Sequence, residues 1–394
     1  MRSISADFVL TPEGLQTNQL LVLDDQGMVT SLETYEKGPD GRPLTVSANH
    51  GHIRGILTTG FVNAHCHLEL SHLKGAIPKH TGMAGFVQKL QGIRNDFTQE
   101  ERETAIEEAI GELAQSGTVA IGDICNGDST LERKRAHPEM HFHNFCEVFS
   151  LDPLRAEDAL GKGLDLAAAF GSNSNVTLHA PYSMSPRLRD LVSRHTRSRR
   201  VPLSIHFLES KEEREIFEFL DGPLMELFHG WGLRWSPHTY DSAVEYVMET
   251  LPKKTRTLLV HCTELRQEEM ERIVADWPLA HFVLCPLANA YIHGTQPPAE
   301  MLLQASDRVC LGTDSLAGND QLSILAEMQF LQRHQGIPTE HLLQWGSANG
   351  ARALGLPEQR FRIEVGATPK LIGIMGIQGP EALITEDVKI LLMD

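Results

Sequence analysis

Seven side chains of the kinds that hold metals or move protons stand at the ends of short apolar runs in this 394-residue chain. His65 and His67 close "ILTTGFVNAHCH", His179 follows "NVTL", and His206 and Glu209 end "VPLSIHFLES". His261 ends "RTLLVH", and Asp314 ends "RVCLGTD". Two residues apart on a strand, His65 and His67 share a face and turn Cys66 to the other. Three imidazoles and one carboxylate, with a position left for water, make a donor set that suits a catalytic Zn²⁺ or Fe²⁺. Ca²⁺ or Mg²⁺ would ask for more oxygen ligands. An ion so held lowers the pKa of its water to around 7, which supplies hydroxide at neutral pH. Each histidine taken alone also reads as a packed, hydrogen-bonded side chain. The stretch "HFHN" provides the contrast, because His141 and His143 open their run instead of closing it, and they are assigned to structure.

The elements that must position these groups follow a strand-then-helix rhythm. Apolar, β-branched runs occur at 56–65, 118–125, 141–150, 175–183, 201–210, 256–264, 281–289 and 308–315. Helical patterns lie between them. The segment 98–117 opens with a Thr cap, carries early acids and stops at Gly117. Eight strands alternating with helices predict a parallel α/β sheet, and eight is the number that closes a barrel; an open doubly wound sheet is the other pattern they fit. In a barrel, catalytic groups come from the carboxyl ends of strands and the loops after them. That is where these seven side chains fall, and five such ends on one rim are hard to explain by packing. Residues 1–55 and the tail at 366–394 read instead as short strands with Gly and Pro turns, neither end able to fold well alone. The expected architecture is a (β/α)8 TIM-like barrel, residues 57–358, inserted in a small β-sandwich domain built from 1–56 and 359–394. No internal repeat or low-complexity linker interrupts the pattern.

Bulk properties narrow the partners. A composition of 41% hydrophobic and 22% charged residues is that of a soluble globular protein. A formal charge of −17 argues against nucleic acid, which needs concentrated Lys and Arg. The basic run at 194–200 is local and reads as a solvated helix end. Six cysteines lack CxxC spacing and sit mostly in apolar runs, as buried residues do in a reducing compartment. No window has the length of a membrane span and no signal peptide is read, so a cytoplasmic location and a small-molecule substrate are expected.

The set "GFVNAHCHLE", "HFLES", "LLVHC" and "GTDS", in this order on these strands, resembles the amidohydrolase superfamily. More narrowly it is similar to the chlorohydrolase and aminohydrolase branch. That branch includes guanine, cytosine, S-adenosylhomocysteine and aminodeoxyfutalosine deaminases and triazine hydrolases. The resemblance implies that the barrel is that of a metallo-hydrolase and that His65, His67, His206 and Asp314 are the metal ligands. It makes Glu209 the proton shuttle, His261 the residue that orients the attacking water, and Asp314 its proton acceptor. It places His179 against substrate, with Glu69, Asn289 and Ser315 as further substrate contacts. Where many relatives have Cys-Pro-x-Ser-Asn, this chain has "CPLAN", with Ala288 in place of the serine. The window "LHAPYSMSPR" has no lysine to be carbamylated between two metals, so one divalent ion is expected, zinc first and iron second. Relatives are often homo-oligomers.

The implied reaction is hydrolytic deamination. Metal hydroxide adds to an amino-bearing ring carbon, Glu209 protonates the adjacent ring nitrogen, and ammonia leaves. "HLELSHLKG" and "GTDSLAGNDQLSILAEM" are most like the aminodeoxyfutalosine deaminase group, which points to an adenine-type nucleoside. A chlorohydrolase or a cyclic-amide hydrolase would use the same mononuclear site. A metal-stabilised binding protein without turnover is the remote alternative, and it has no use for Glu209 and His261. The segment 72–95 after the first strand is expected to border the pocket.

Overall fold

The computed structural model describes residues 2–39, 41–44, 49–199, 201–233, 240–377, 379 and 381–393, and the side chains of 198–199, in the basic run, lie outside that description. The amino-terminal strands are β1 (Arg2–Thr11), β2 (Gly14–Thr17), β3 (Gln19–Leu23), β4 (Val29–Thr34) and β5 (His50–Thr59). A two-layered sandwich was the expectation for the chain ends. Among the described residues they form one mixed seven-stranded sheet. The reason is the length of β1, whose ten residues pair antiparallel with β2 and β3 and parallel with β5. The same ladder takes in the carboxyl-terminal pair described below.

The run at 56–65 reads as one strand but is two. β5 ends at Thr59 and β6 (Phe61–Cys66) begins after Gly60. The Gly60 amide donates to Lys370 O at 2.8 Å and the Phe61 amide to Gly117 O at 2.8 Å, so neighbouring residues bond into different sheets. A Cβ at Gly60 would lie 2.4 Å from Val119 Cγ1, which leaves room only for glycine at this crossing.

β6 leads a parallel sheet continued by β7 (Thr118–Cys125), β8 (His141–Val148) and β9 (Ser174–Leu178). A second parallel sheet holds β10 (Leu203–Phe207), β11 (Thr257–His261), β12 (Ala280–Leu284) and β13 (Val309–Leu311). Every residue of β6, β10, β11, β12 and β13 is buried, the mark of strands covered on both faces. The two sheets touch at both edges. The His206 amide donates to His179 O at 2.8 Å, and the Thr313 and Asp314 amides donate to His65 O at 3.0 and 3.1 Å. β14 (Leu371–Met375) and β15 (Lys389–Leu392) then complete the terminal sheet on β5.

Helices fill the crossovers: α1 (Gly82–Ile93), α2 (Gln99–Gln115), α3 (Leu131–Ala136), α4 (Ala156–Phe170), α5 (Pro186–Arg199), α6 (Lys211–Phe219) and α7 (Pro223–Gly230), with further helices beyond. α2 starts on a capping box between Thr98 and Glu101, and the chain leaves it through Gly117 at φ +86°.

Candidate metal centre and active site

The ends of β6 and β10 carry the histidines, and their ring nitrogens converge. His67 Nε2 lies 3.1 Å from His65 Nε2 and 3.3 Å from His206 Nε2. Asp314 Oδ1, just past β13, is 3.4 Å from His67 Nε2 and 3.8 Å from His65 Nε2. Donors about 2.0–2.1 Å from a tetrahedral zinc stand about 3.3 Å apart, so these separations match the edges of such a polyhedron. The His206 Nδ1 proton is given to His179 O at 2.9 Å, which leaves its Nε2 with a lone pair aimed at the cluster. Burial pushes His65 and His67 well below the ordinary imidazole value, so both are neutral, the form that ligates. Burial also works to lower His206, but the carboxylates of Glu147, Glu209 and Asp314 outweigh it and leave a net rise. Three imidazole nitrogens and a carboxylate oxygen 3.1–3.8 Å apart form a donor set that suits a cation, and the residues present fit one.

Three strand ends around this cluster turn through left-handed backbone at residues with side chains: Leu208 (φ +47°), His261 (φ +77°) and Asp314 (φ +57°). Such positions cost on the order of 1–3 kcal/mol each and persist where the surroundings over-determine them. Here they set the directions of Glu209, His261 and Asp314, whose ligand atoms lie within 4.8 Å of one another.

Glu209 is the carboxyl of that trio. Its Oε1 is 3.6 Å from His261 Nε2 and 4.0 Å from His293 Nε2. Burial raises its pKa to about 8, so it carries a proton at neutral pH. Asn289 Nδ2 stands 3.4 Å from His261 Nδ1, placed to donate, which assigns the His261 proton to the Nε2 side that faces Glu209. Burial and the neighbouring imidazoles hold His261 itself well below the usual histidine range.

These groups open into a cavity of about 1170 Å³. His67, His206, Glu209 and Asp314 form one end; α1, α4 and α7 supply apolar walls with Phe86, Ala159 and Phe228. Of the expected substrate contacts, His179 and Ser315 line this cavity. Glu69 does not: it lies in a 3-10 turn and accepts the amides of Asn126 and Gly127 at 3.1 and 2.8 Å. Asn289 is fully buried behind His261. Two carboxyl or imidazole groups close to the centre escape the sequence reading, Glu147 at the end of β8 and His293. The rule that selects polar residues at strand ends would have found Glu147 in "HFHNFCEVFS", and His293 stands one helical turn after Asn289. A second cavity of about 640 Å³ opens at the other ends of the strands, beside His141 and Lys370, and none of the metal-holding clusters among the described residues lies there. His143, the other half of that histidine pair, is occupied by Asn175 Oδ1 at 2.7 Å.

Comparison with known proteins gives a consistent picture. The profile of the amidohydrolase family matches residues 56–386. A protein of Helicobacter pylori named adenosine deaminase is 29% identical over 350 residues, covering 85% of this chain and 84% of that protein. An aminodeoxyfutalosine deaminase of Deinococcus radiodurans is 24% identical over 316 residues, covering 75% of this chain and 72% of its own. Among solved structures, Helicobacter pylori aminofutalosine deaminase bound to methylthio-coformycin superposes with a TM-score of 0.80 at 24% identity, covering 100% of this chain and 98% of that one.

Proposed function

The chain belongs to the amidohydrolase family, and from that premise we propose that it is a hydrolytic deaminase. Its substrate would be an amino-substituted heteroaromatic ring of the adenine-nucleoside type, attacked at a carbon–nitrogen bond with release of ammonia. The relatives named for adenosine and aminodeoxyfutalosine support the substrate class. We read the two parallel sheets as halves of one (β/α)8 barrel over residues 57–358, with 1–56 and 359–394 forming the outer β domain. The hydrogen bonds across both sheet edges support that reading.

One divalent ion, zinc, would be held by His65, His67, His206 and Asp314, in keeping with the converging nitrogens. When bound, it supplies Lewis acidity that makes water a nucleophile near neutral pH. The protein's groups do the rest. Glu209 gives its proton to the ring nitrogen beside the amino-bearing carbon, so no negative charge accumulates on the ring as water adds. Asp314 takes a proton from that water and His261 fixes the water's position. In the second half, Asp314 returns its proton to the amino group, Glu209 takes the hydroxyl proton, and ammonia leaves a carbonyl behind.

The observation that carries this reading is the placement of the Glu209 carboxyl, buried on the cavity wall beside the metal cluster and 3.6 Å from His261, where burial pushes its pKa up. A metal site alone needs no such acid, and a ring nitrogen gives it a task. Glu209→Gln is expected to keep its zinc and lose about 10²- to 10⁴-fold in ammonia release. The panel should contain adenine nucleosides, triazines and lactams. Loss of zinc from the variant would reassign Glu209 as a ligand, and turnover confined to lactams or chlorotriazines would overturn deamination.

A further inference from the structure

Glu327 is fully buried on the helix Ile324–Gln335, and the proposed chemistry gives it no task. It belongs to none of the metal-holding clusters among the described residues. Its two oxygens are spent on N–H donors from two different strand ends. Oε2 accepts the Leu287 amide at 2.9 Å, and Oε1 accepts Asn319 Nδ2 at 3.1 Å. A buried carboxyl costs desolvation, and packing this helix would need only an apolar side chain. The residues beyond these two bonds account for its place.

The first bond leads to His261. Leu287 is the second residue of the helix Pro286–His293, which follows β12 and carries Asn289 two residues on. Asn289 Nδ2 stands 3.4 Å from His261 Nδ1. The second bond leads to Asp314. The same Asn319 amide group donates to Thr313 O at 2.9 Å, which fixes the peptide plane between Thr313 and Asp314. Asp314 stands in left-handed backbone at φ +57°, a conformation kept where the surroundings over-determine it. Thr313 is also held from the side of β6. Its amide meets Asn63 Oδ1 at 3.1 Å, and its hydroxyl accepts Asn63 Nδ2 at 2.7 Å. Asn63 precedes His65 by two residues on β6. Asn63, Thr313, Asn319 and Glu327 therefore form one buried chain of polar contacts, and its far end reaches the helix that carries Asn289.

We infer that Glu327 is a positioning residue that sets two parts of the centre from one carboxyl: the ligand Asp314, through Asn319, and the water-orienting His261, through the helix bearing Asn289. This rests on the ligand and deaminase reading above and adds to it the support that keeps Asp314 in its left-handed turn. An amide of the same shape at position 327 turns an NH2 group towards one of the two donors, so one arm must let go. Groups that hold a metal ligand from behind are worth about 10- to 100-fold in metal affinity.

The test uses Glu327→Gln and Asn319→Ala. Leu331→Ala on the same helix is the packing control, since Leu331 is fully buried and takes no part in these hydrogen bonds. Each protein is measured by competitive zinc titration, by d–d absorption of its cobalt(II)-loaded form, and by thermal unfolding without metal. Glu327→Gln and Asn319→Ala should bind zinc about 10- to 100-fold more weakly and show altered cobalt bands. Leu331→Ala should unfold at a lower temperature and keep the wild-type affinity and bands. In ammonia release from adenosine, Glu327→Gln should lose about 10- to 100-fold in kcat with KM within a few-fold of wild type. Wild-type zinc affinity and cobalt bands in Glu327→Gln overturn the inference. So does an Asn319→Ala variant that matches wild type, which also decides the matter if Glu327→Gln does not fold. Equal losses in Leu331→Ala would trace the effect to stability and sink the positioning role. If no form releases ammonia from any member of the substrate panel, the deaminase reading fails, and the zinc and cobalt measurements still decide on Glu327.

Discussion

Replacing Lys134 by methionine would test whether the metal site depends on a buried ion pair that no ligand touches. Lys134 sits on α3 with its side chain 5% exposed, and its Nζ is 2.5 Å from Asp123 Oδ2, a fully buried carboxylate. Asn144 Oδ1 at 2.6 Å and Cys125 Sγ at 3.3 Å complete the ammonium's surroundings. Burial works to lower the Lys134 pKa, but Asp123 and Cys125 outweigh it and leave it raised. At 2.5 Å and an effective dielectric of 20 the attraction is about 6–7 kcal/mol, most of it offset by desolvation of the two charges. Removing one partner forfeits the attraction and leaves the desolvation, so Lys134→Met should cost about 3–5 kcal/mol. Unfolding entropy scales with length, and for 394 residues it is about 0.8 kcal/mol per degree, giving a Tm drop of about 4–6 °C. The effect should reach the site, because Asp123 Oδ1 accepts the amide of Leu68 at 2.8 Å, directly after His67. Zinc affinity is therefore expected to fall by about 10- to 100-fold, the usual range for a lost outer-sphere support. The assays are thermal unfolding of loaded and stripped protein and a competitive zinc titration. Adding Asp123→Asn, which keeps the acceptor for Leu68 and removes the orphaned charge, should recover most of both losses. If Lys134→Met unfolds within a degree of wild type with unchanged zinc affinity, or if the double variant is no better than the single one, the reasoning is wrong.

Two other perturbations probe the frame around the site. A Cβ at Gly312 would meet His65 Cβ and O at 2.9 Å and its N at 3.0 Å, so Gly312→Ala must push β13 off β6, costing about 1–3 kcal/mol in urea unfolding and weakening zinc binding; unchanged values would mean the two strands are not held this closely. Burial raises the Glu213 carboxyl from its ordinary 4.5 to about 8, so the stability it contributes is complete below pH 4.5 and is lost as pH rises through 8. Glu213→Gln should therefore gain on wild type between pH 5 and pH 9, by roughly 4 kcal/mol at most, and a difference independent of pH would remove the claimed shift.

Much of the site was legible because it follows a positional rule. Polar residues at the carboxyl ends of apolar runs conflict with the burial of their neighbours, and that conflict is visible in one dimension. His65, His67, His206, Glu209, His261 and Asp314 all stand out this way, and the structure brings all six together. The parts that stayed hidden are those where sequence neighbours diverge in space. The run at 56–65 reads as one strand, yet Gly60 passes it from one sheet to another, since both halves are buried and only the hydrogen-bond partners change. Glu69 follows the histidine pair closely, but a 3-10 turn rotates it onto the amides of Asn126 and Gly127 and away from the cavity. Lys134 lies in "LERKRA", which reads as a solvated helix; α3 is six residues long, too short for its one inward side chain to show a period.

Roles at the centre are divided by environment more than by residue type. Three carboxyl groups lie within reach of His206, and each meets a different set of partners. Asp314 faces the Nε2 atoms of His65 and His67 at 3.8 and 3.4 Å, a geometry that asks for a shared cation. Glu209 is buried beside His261, and burial raises its pKa to about 8, which suits the general-acid role proposed for it. Glu147 has one oxygen tied to Asn126 and the other buried without a hydrogen-bond partner among the described residues. A ligand set alone would fit many hydrolases. Under the proposed deamination, the buried Glu209 carboxyl 3.6 Å from His261 is the group that a basic ring nitrogen would meet.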